Sequence, residues 1–250
     1  MIIIKSDREI LLMRDAGKIV AIALDAVGKA IVPGITTAEL DEVARKTIVE
    51  CGAIPTFKGY HGYPANICVS VNSEVVHGIP GARKLEEGDI VSVDCGALYN
   101  GYNGDAAVTF PVGKVSEDAL RLMRVTREAL YKGIEQAVVG NRLGAVSHAI
   151  QQHAEAAGYG VVRDYCGHGI GRNMHEDPSI PNVGEPDKGP LIKAGMVLAI
   201  EPMVNMGTWA VKVLADDWTV VTKDGKISAH FEHTVAVTTQ GPQILTKLED

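Results

Sequence analysis

The chain has 250 residues, 46% of them hydrophobic and 22% charged, the balance of a compact globular protein and not of a disordered or fibrous one. Its formal net charge of -7 argues against a broad basic surface for nucleic acid, because such binding replaces phosphate counterions with clustered Lys and Arg. No apolar run approaches bilayer-spanning length and the isoleucines at 2–4 are too few for a secretory signal, so a cytoplasmic protein with no membrane partner is expected.

The first helix is expected from Ser6, with Ser6 or Asp7 as its cap and Ile10, Leu11, Ala16, Ile19 and Val20 at helical spacing, until Pro33-Gly34 stops it. A second helix runs from Thr36 or Thr37, with Glu39 placed for a capping box, to Gly52. A loop rich in glycine and aromatic residues covers 58–64, and residues 67–71 and 89–94 have the short β-branched pattern of strands. Asn100-Gly101 marks a tight reversal, and residues 106–111 return as a strand. The same order then begins again, with a helix over 117–138, a break at Gly140-Asn141 and a further helix ending at Gly158.

Setting the two stretches against each other gives a steady offset. Gly34 and Gly140, like Gly52 and Gly158, stand 106 positions apart, and Gly88 and Gly195, like Asp94 and Glu201, stand 107 apart. EEGDIVSVDCG thereby lies over KAGMVLAIEPM with Asp94 matched to Glu201. A single match of this kind is unremarkable between two amphipathic segments. An offset held through helices and strands predicts an internal repeat, roughly 6–112 and 117–240, within one domain over 1–250: two α+β halves around one site.

Asp94 closes the apolar run IVSVD, and Asp105 follows the Asn100-Gly101 turn. A two-residue turn there sets Asp94 opposite Ala107 and Asp105 opposite Gly96, so both carboxylates share one face as diagonal neighbours, roughly 7–8 Å apart at Cα. Two buried like charges repel unless a cation lies between them or one protonates. Glu201 ends the apolar run MVLAI and Glu232 lies within HFEHTVAV, each an isolated acid in apolar company that needs a partner. His168, in YCGHGIG, is flanked by glycines that let a ligand come close. Taken singly, each has an ordinary reading, as a strand-end acid or a satisfied structural histidine. Four carboxylates with one imidazole instead form a donor set for Mn, Fe, Co or Zn and lack the thiolates of a structural zinc site. The four cysteines, Cys51, Cys68, Cys95 and Cys166, form no CxxC pair and are expected as reduced thiols of the core or of a pocket.

The motifs SVNSEVVHGIP, DIVSVDCG, NGDAAVTF, DYCGHGIGRNMHEDP, MVLAIEPM and SAHFEHTVAV, in this order and over nearly the whole chain, resemble those of the type I methionine aminopeptidases, in the short form without an N-terminal zinc-binding extension. The resemblance implies the pita-bread (creatinase/aminopeptidase) fold: two pseudo-twofold-related halves around a central antiparallel sheet, with two divalent ions. Carried over by position, Asp94 chelates one metal, His168 and Glu201 bind the other, and Asp105 and Glu232 bridge them. His77 would contact the substrate's amine or scissile amide nitrogen, His175 would hydrogen-bond the scissile carbonyl, and Glu201 would shuttle the proton lost by a metal-bridging water. Tyr60, Tyr63, Cys68 and Trp218 would wall the methionine pocket, with Phe57 and Met174 nearby. A monovalent cation, Na or K, is implied near Asn72 and Ser228.

The resemblance further implies a monomer that acts on nascent polypeptide N-termini, with transient ribosome association, removing methionine before a small second residue. A proline dipeptidase or creatinase-like hydrolase shares the fold but usually carries a further N-terminal domain for which this chain has no room. A noncatalytic binding module of the same fold is the third reading, and it is disfavoured because all five ligands are present.

Overall fold

The long helices begin where side chains take over the first orphaned backbone donors. In the structure, a computed structural model that describes residues 1–248, helix α1 (Asp7–Ala30) starts at a capping box. The Ser6 N–H donates to Glu9 Oε2 at 2.9 Å and the Glu9 N–H donates back to Ser6 Oγ. Tyr102 O–H also donates to Glu9 Oε1, at 2.7 Å, and fastens this cap to the sheet. Helix α2 (Thr37–Glu50) opens on the equivalent Thr36/Glu39 box. Helix α3 (Glu117–Gln136) is capped by Ser116, and α4 (Leu143–Ala156) follows Arg142 without a side-chain cap. The expected end of α3 at 138 is two residues long, because Ala137 turns to ψ 55° and donates to Ile134 O in a tighter turn.

Before α3 lie strands β1 (Ile54–Pro55), β2 (Ile67–Val71), β3 (Glu74–Val76), β4 (Ile90–Tyr99) and β5 (Tyr102–Pro111). After α4 come β6 (Gly160–Val161), β7 (Cys166–Gly169), β8 (Glu176–Pro181), β9 (Val197–Ile200), β10 (Met203–Asn205), β11 (Val211–Val213) and β12 (Val220–Thr222). The chain closes with β13 (Ser228–His230), β14 (Glu232–Thr238) and β15 (Gly241–Ile244). The main sheet runs β1-β4-β5-β14-β9-β7-β8, with β2 on β4 and β15 on β14, every pairing antiparallel. Two small sheets, β13-β10-β6 and β11-β12-β3, flank it.

The β4–β5 hairpin turns on Asn100 (φ 49°) and Gly101 (φ 81°), both in the left-handed region that a two-residue hairpin turn of this hand requires. Its register pairs Tyr99 with Tyr102, Asp94 with Ala107 and Gly96 with Asp105. Both strands are longer than their apolar runs suggest, so Asp94 and Asp105 stand mid-strand and not at strand ends. The alternation continues past Asp94 because Val91, Val93, Cys95 and Ala97 all face one cluster with Ile19, Leu24, Leu40 and Ile48 of α1 and α2. Period two then turns Ser92, Asp94 and Gly96 to the opposite face. On the other side of the molecule α3 and α4 pack Leu122, Leu130 and Ile150 against Leu198, Ile200 and Val235 of β9 and β14. Among the described residues, no helix is long and apolar enough to cross a membrane.

Helix α1 lies directly on β5, and two glycines allow it. A Cβ at Gly104 would come within 2.7 Å of Gly17 N, and one at Gly17 would stand 2.4 Å from Leu245 O, in both cases against backbone that has no free rotamer. Gly104→Ala should therefore cost about 1–3 kcal/mol or more in urea unfolding, whereas Val49→Ala, on the exposed face of α2, should change stability by no more than about 0.5 kcal/mol. A Gly104→Ala midpoint equal to that of Val49→Ala would contradict this packing.

Candidate metal centre

Five consecutive neighbours in the sheet order β4-β5-β14-β9-β7 each deliver one polar side chain to the same place. Asp94 comes from β4, Asp105 from β5, Glu232 from the first position of β14, Glu201 from the residue after β9, and His168 from β7. The pairings Ala107 with Glu232, His233 with Ile200, and Ala199 with His168 hold the five strands in step. Thr234 locks the shared edge, its hydroxyl accepting from Asp105 N–H at 3.1 Å and donating to Asp105 O at 2.8 Å.

Potential ligand atoms of Asp105, His168 and Glu232 lie within 4.8 Å of one another. His168 Nε2 stands 3.9 Å from Asp105 Oδ2 and 3.7 Å from Glu201 Oε1. Its Nδ1 lies 2.9 Å from Gly169 O, an acceptor only, so Nδ1 carries the proton and Nε2 turns its lone pair to the carboxylates. Asp94 completes the group, its side chain beside that of Asp105 on the same cavity wall.

The charges in this nest conflict. Asp94 Oδ1, Asp105 Oδ1 and Glu232 Oε1 are buried without any hydrogen-bond partner. Burial pushes the Asp94 carboxyl up to about 7. It pushes Asp105, Glu201 and Glu232 well above the usual carboxylate range, and their mutual repulsion pushes in the same direction. Burial drives His168 the other way, to about 4, which leaves a neutral imidazole at neutral pH. Among the described residues, no Lys or Arg lines the cavity to balance the acids. Divalent cations would, and oxygen donors with one lone-pair nitrogen are the ligands such ions take. The residues present therefore fit a metal site.

The nest floors a cavity of about 240 Å³. Every residue expected there from sequence lines it: Tyr60, Tyr63, Cys68, Trp218, His77 and His175, with Phe57 and Met174. Phe57, Tyr63, Cys68 and Met174 form one buried apolar cluster, and Tyr60 and Trp218 pack against it. The Tyr63 hydroxyl is spent on the carbonyls of Ile67 (3.2 Å) and Gly78 (2.9 Å), which leaves its ring edge against Trp218 to face the cavity. His175 stacks on Tyr60, its Nδ1 2.8 Å from the Tyr60 hydroxyl, and lies 4.1 Å from His168 ring to ring. His77 sits just past β3 with φ 61°, and burial lowers its pKa to about 4. Asn72 (φ 56°) and Ser228 also meet, the Asn72 carbonyl accepting from Ser228 N–H at 2.8 Å.

Two histidines at the site escaped the sequence reading. His61, at the cavity mouth with φ 47°, looked like one more residue of a glycine-rich loop. His230 is 1% exposed, with Nε2 3.9 Å from Glu201 Oε2, and its alternation with Glu232 was the signal that could have found it. All four cysteines are free, but only Cys68 and Cys95 are buried; Cys166, expected in the core or a pocket, is exposed at the start of β7.

Residues 11–239 match the model of metallopeptidase family M24. The chain is 59% identical over 250 residues to the methionine aminopeptidase of Clostridium acetobutylicum, covering all of both chains. Among solved structures it superimposes on the methionine aminopeptidase of Thermotoga maritima with a TM-score of 0.97 at 53% identity, over 99% of this chain and all of that one. The prolidase of Pyrococcus furiosus aligns with a TM-score of 0.80 at 28% identity, over 99% of this chain but 66% of its own.

Removing one of the crowded carboxylates should relieve the metal-free protein. Asp105→Asn is expected to raise its stability by about 1–3 kcal/mol in thermal unfolding under chelator and to abolish the further rise that added Mn(II) gives the parent chain. A metal-free Asp105→Asn protein that melts at or below the parent would count against the charge conflict.

Proposed function

The chain belongs to metallopeptidase family M24, and within it to the methionine aminopeptidases, and from that premise we propose how this chain carries out metal-dependent removal of N-terminal methionine. The observation that carries the reading is the adjacency of the acid-and-imidazole nest to a largely apolar cavity wall. Asp94, Asp105, His168, Glu201 and Glu232 would hold two divalent cations from the set Mn, Fe, Co and Zn, with Asp105 and Glu232 shared by both. When bound there, such ions supply positive charge that acidifies water and polarises a peptide carbonyl.

The protein's own groups do the rest. Glu201, with burial raising its proton affinity, accepts a proton from water and returns it to the departing amine nitrogen. With Tyr60 O–H donating to His175 Nδ1, the proton of that neutral ring sits on Nε2, which donates to the carbonyl oxygen as negative charge develops. His77, neutral and fixed by its backbone, contacts the scissile amide nitrogen or terminal amine. The free α-amine of the first residue is held by the acids of the nest, which confines cleavage to the N-terminus.

Selectivity for methionine is supported by the wall of Phe57, Tyr60, Tyr63, Cys68, Met174 and Trp218, which offers no charge to a thioether. A small second residue, nascent chains as substrates with transient ribosome contact, and a monovalent cation at the Asn72 and Ser228 backbone complete the reading. So does descent of the single domain from a duplicated half, with Asp94 and Glu201 as counterparts. A proline dipeptidase would share the fold, as the likeness to the Pyrococcus furiosus prolidase illustrates, and differ in substrate.

Steady-state assays on Met-Ala-Ser and Ala-Pro should show turnover of the first peptide alone or by a wide margin. Preference for Ala-Pro would sink the methionine reading. Glu201→Gln should lower kcat by about 10²–10⁴-fold and His175→Ala by about 10²–10³-fold, in the latter case with little change in KM. Undiminished cleavage by either variant would remove that residue from the mechanism.

A further inference from the structure

His230 is a buried imidazole for which the proposed machinery has given no use. Its backbone is fixed on both sides by one hydroxyl: the His230 N–H donates to Thr109 Oγ1 at 2.9 Å, and Thr109 O–H donates to His230 O at 2.8 Å. Thr109 is itself 2.8 Å from Ser92 Oγ across the β4–β5 hairpin, so β13 cannot shift without disturbing the strands that carry Asp94 and Asp105. The ring is 1% exposed, yet neither Nδ1 nor Nε2 has a hydrogen-bond partner. A buried donor left this way costs about 1–3 kcal/mol and calls for an explanation.

The ring's one ion-pair-range neighbour supplies it. Glu201 lies between two imidazoles, Oε1 3.7 Å from His168 Nε2 and Oε2 3.9 Å from His230 Nε2. His168 has no proton on its facing nitrogen, because its Nδ1–H is committed to Gly169 O. It can share an ion with Glu201 but cannot donate to it. His230 has a ring N–H to give, and Glu201 Oε2 accepts no hydrogen bond from any described residue. His230 lies outside the trio of Asp105, His168 and Glu232 whose ligand atoms gather within 4.8 Å, and its ion-pair-range contact is with Glu201.

We infer that His230 is a positioning residue of the metal site: its Nε2–H holds Glu201 by Oε2 and so aims Oε1 at the ion that His168 shares. The inference rests on the two-cation reading above. Its consequence is a carboxylate with divided duties, one oxygen for the metal and the other kept from swinging into the substrate cavity. Groups that orient ligands in this way typically contribute 10–100-fold to metal affinity.

The test uses cobalt as the probe. His230→Leu should bind Co(II) about 10–100-fold more weakly than the parent chain and shift its visible absorption bands, while His230→Gln, which keeps a donor, should restore most of both. Independently of any variant's folding, ¹⁵N-histidine spectra of the Zn(II)-loaded parent should show His230 protonated at Nε2 and bare at Nδ1. Parent-like affinity and spectrum in folded His230→Leu, or an Nδ1–H tautomer in the parent, would overturn the assignment of His230 and leave the metal site standing. Failure of the parent chain to bind Co(II) at all would overturn both.

Discussion

Four carboxylates share one poorly solvated nest, and like charges in such a place repel strongly while each also loses its hydration. Among the described residues, three of their oxygens have no hydrogen-bonding partner, and no Lys or Arg lines the cavity beside them. Folding the chain without cations therefore forces protons onto these acids, as the upward displacement of all four carboxyls expresses. Cations remove the conflict, and the sheet is arranged to hold them. Five adjacent strands each contribute one side chain, so no single loop decides the geometry. Rigid strands suit a site whose ligands must keep within a few tenths of an ångström of their places.

The apolar half of the cavity depends on the same sheet. Cys68 of β2 pairs directly with Asp94 of β4, so a residue of the apolar wall and an acid of the nest are cross-strand neighbours. Tyr63 reaches back to β2 and to Gly78, beside His77, through its hydroxyl. Its ring then serves as wall without leaving a free polar atom in an apolar pocket. The acid nest and one side of the apolar wall are thereby held in register by backbone pairing.

Much of this was legible in the chain. The Asn100-Gly101 turn dictated the hairpin register, and with it the shared face of Asp94 and Asp105, because both turn residues must adopt positive φ. The Thr36/Glu39 capping box was visible as spacing, and Ser6 as one of two candidate caps, whereas the partnership of Ser6 with Glu9 emerges only in the fold. The lengths of β4 and β5 were not visible, since the weak strand formers Cys95, Gly96 and Ala97 follow Asp94, and it is burial of Cys95 and Ala97 against α1 and α2 that keeps the strand extended. Contacts of Glu201 with His168 and His230 join residues remote in sequence, and no local pattern encodes them. His230 was masked by its surroundings, for a histidine between Ala229 and Phe231 reads as ordinary core until its empty nitrogens are seen.

The central claim is that the nest exists to hold cations and that peptide cleavage needs them. The direct measurement strips the parent chain of metal, returns Mn(II) in steps, and follows bound metal per chain and hydrolysis of Met-Ala-Ser on the same samples. No turnover in the stripped protein, with activity rising as the ions are bound and saturating at no more than two per chain, is the predicted result. Full turnover by protein from which the metal has been removed would contradict it.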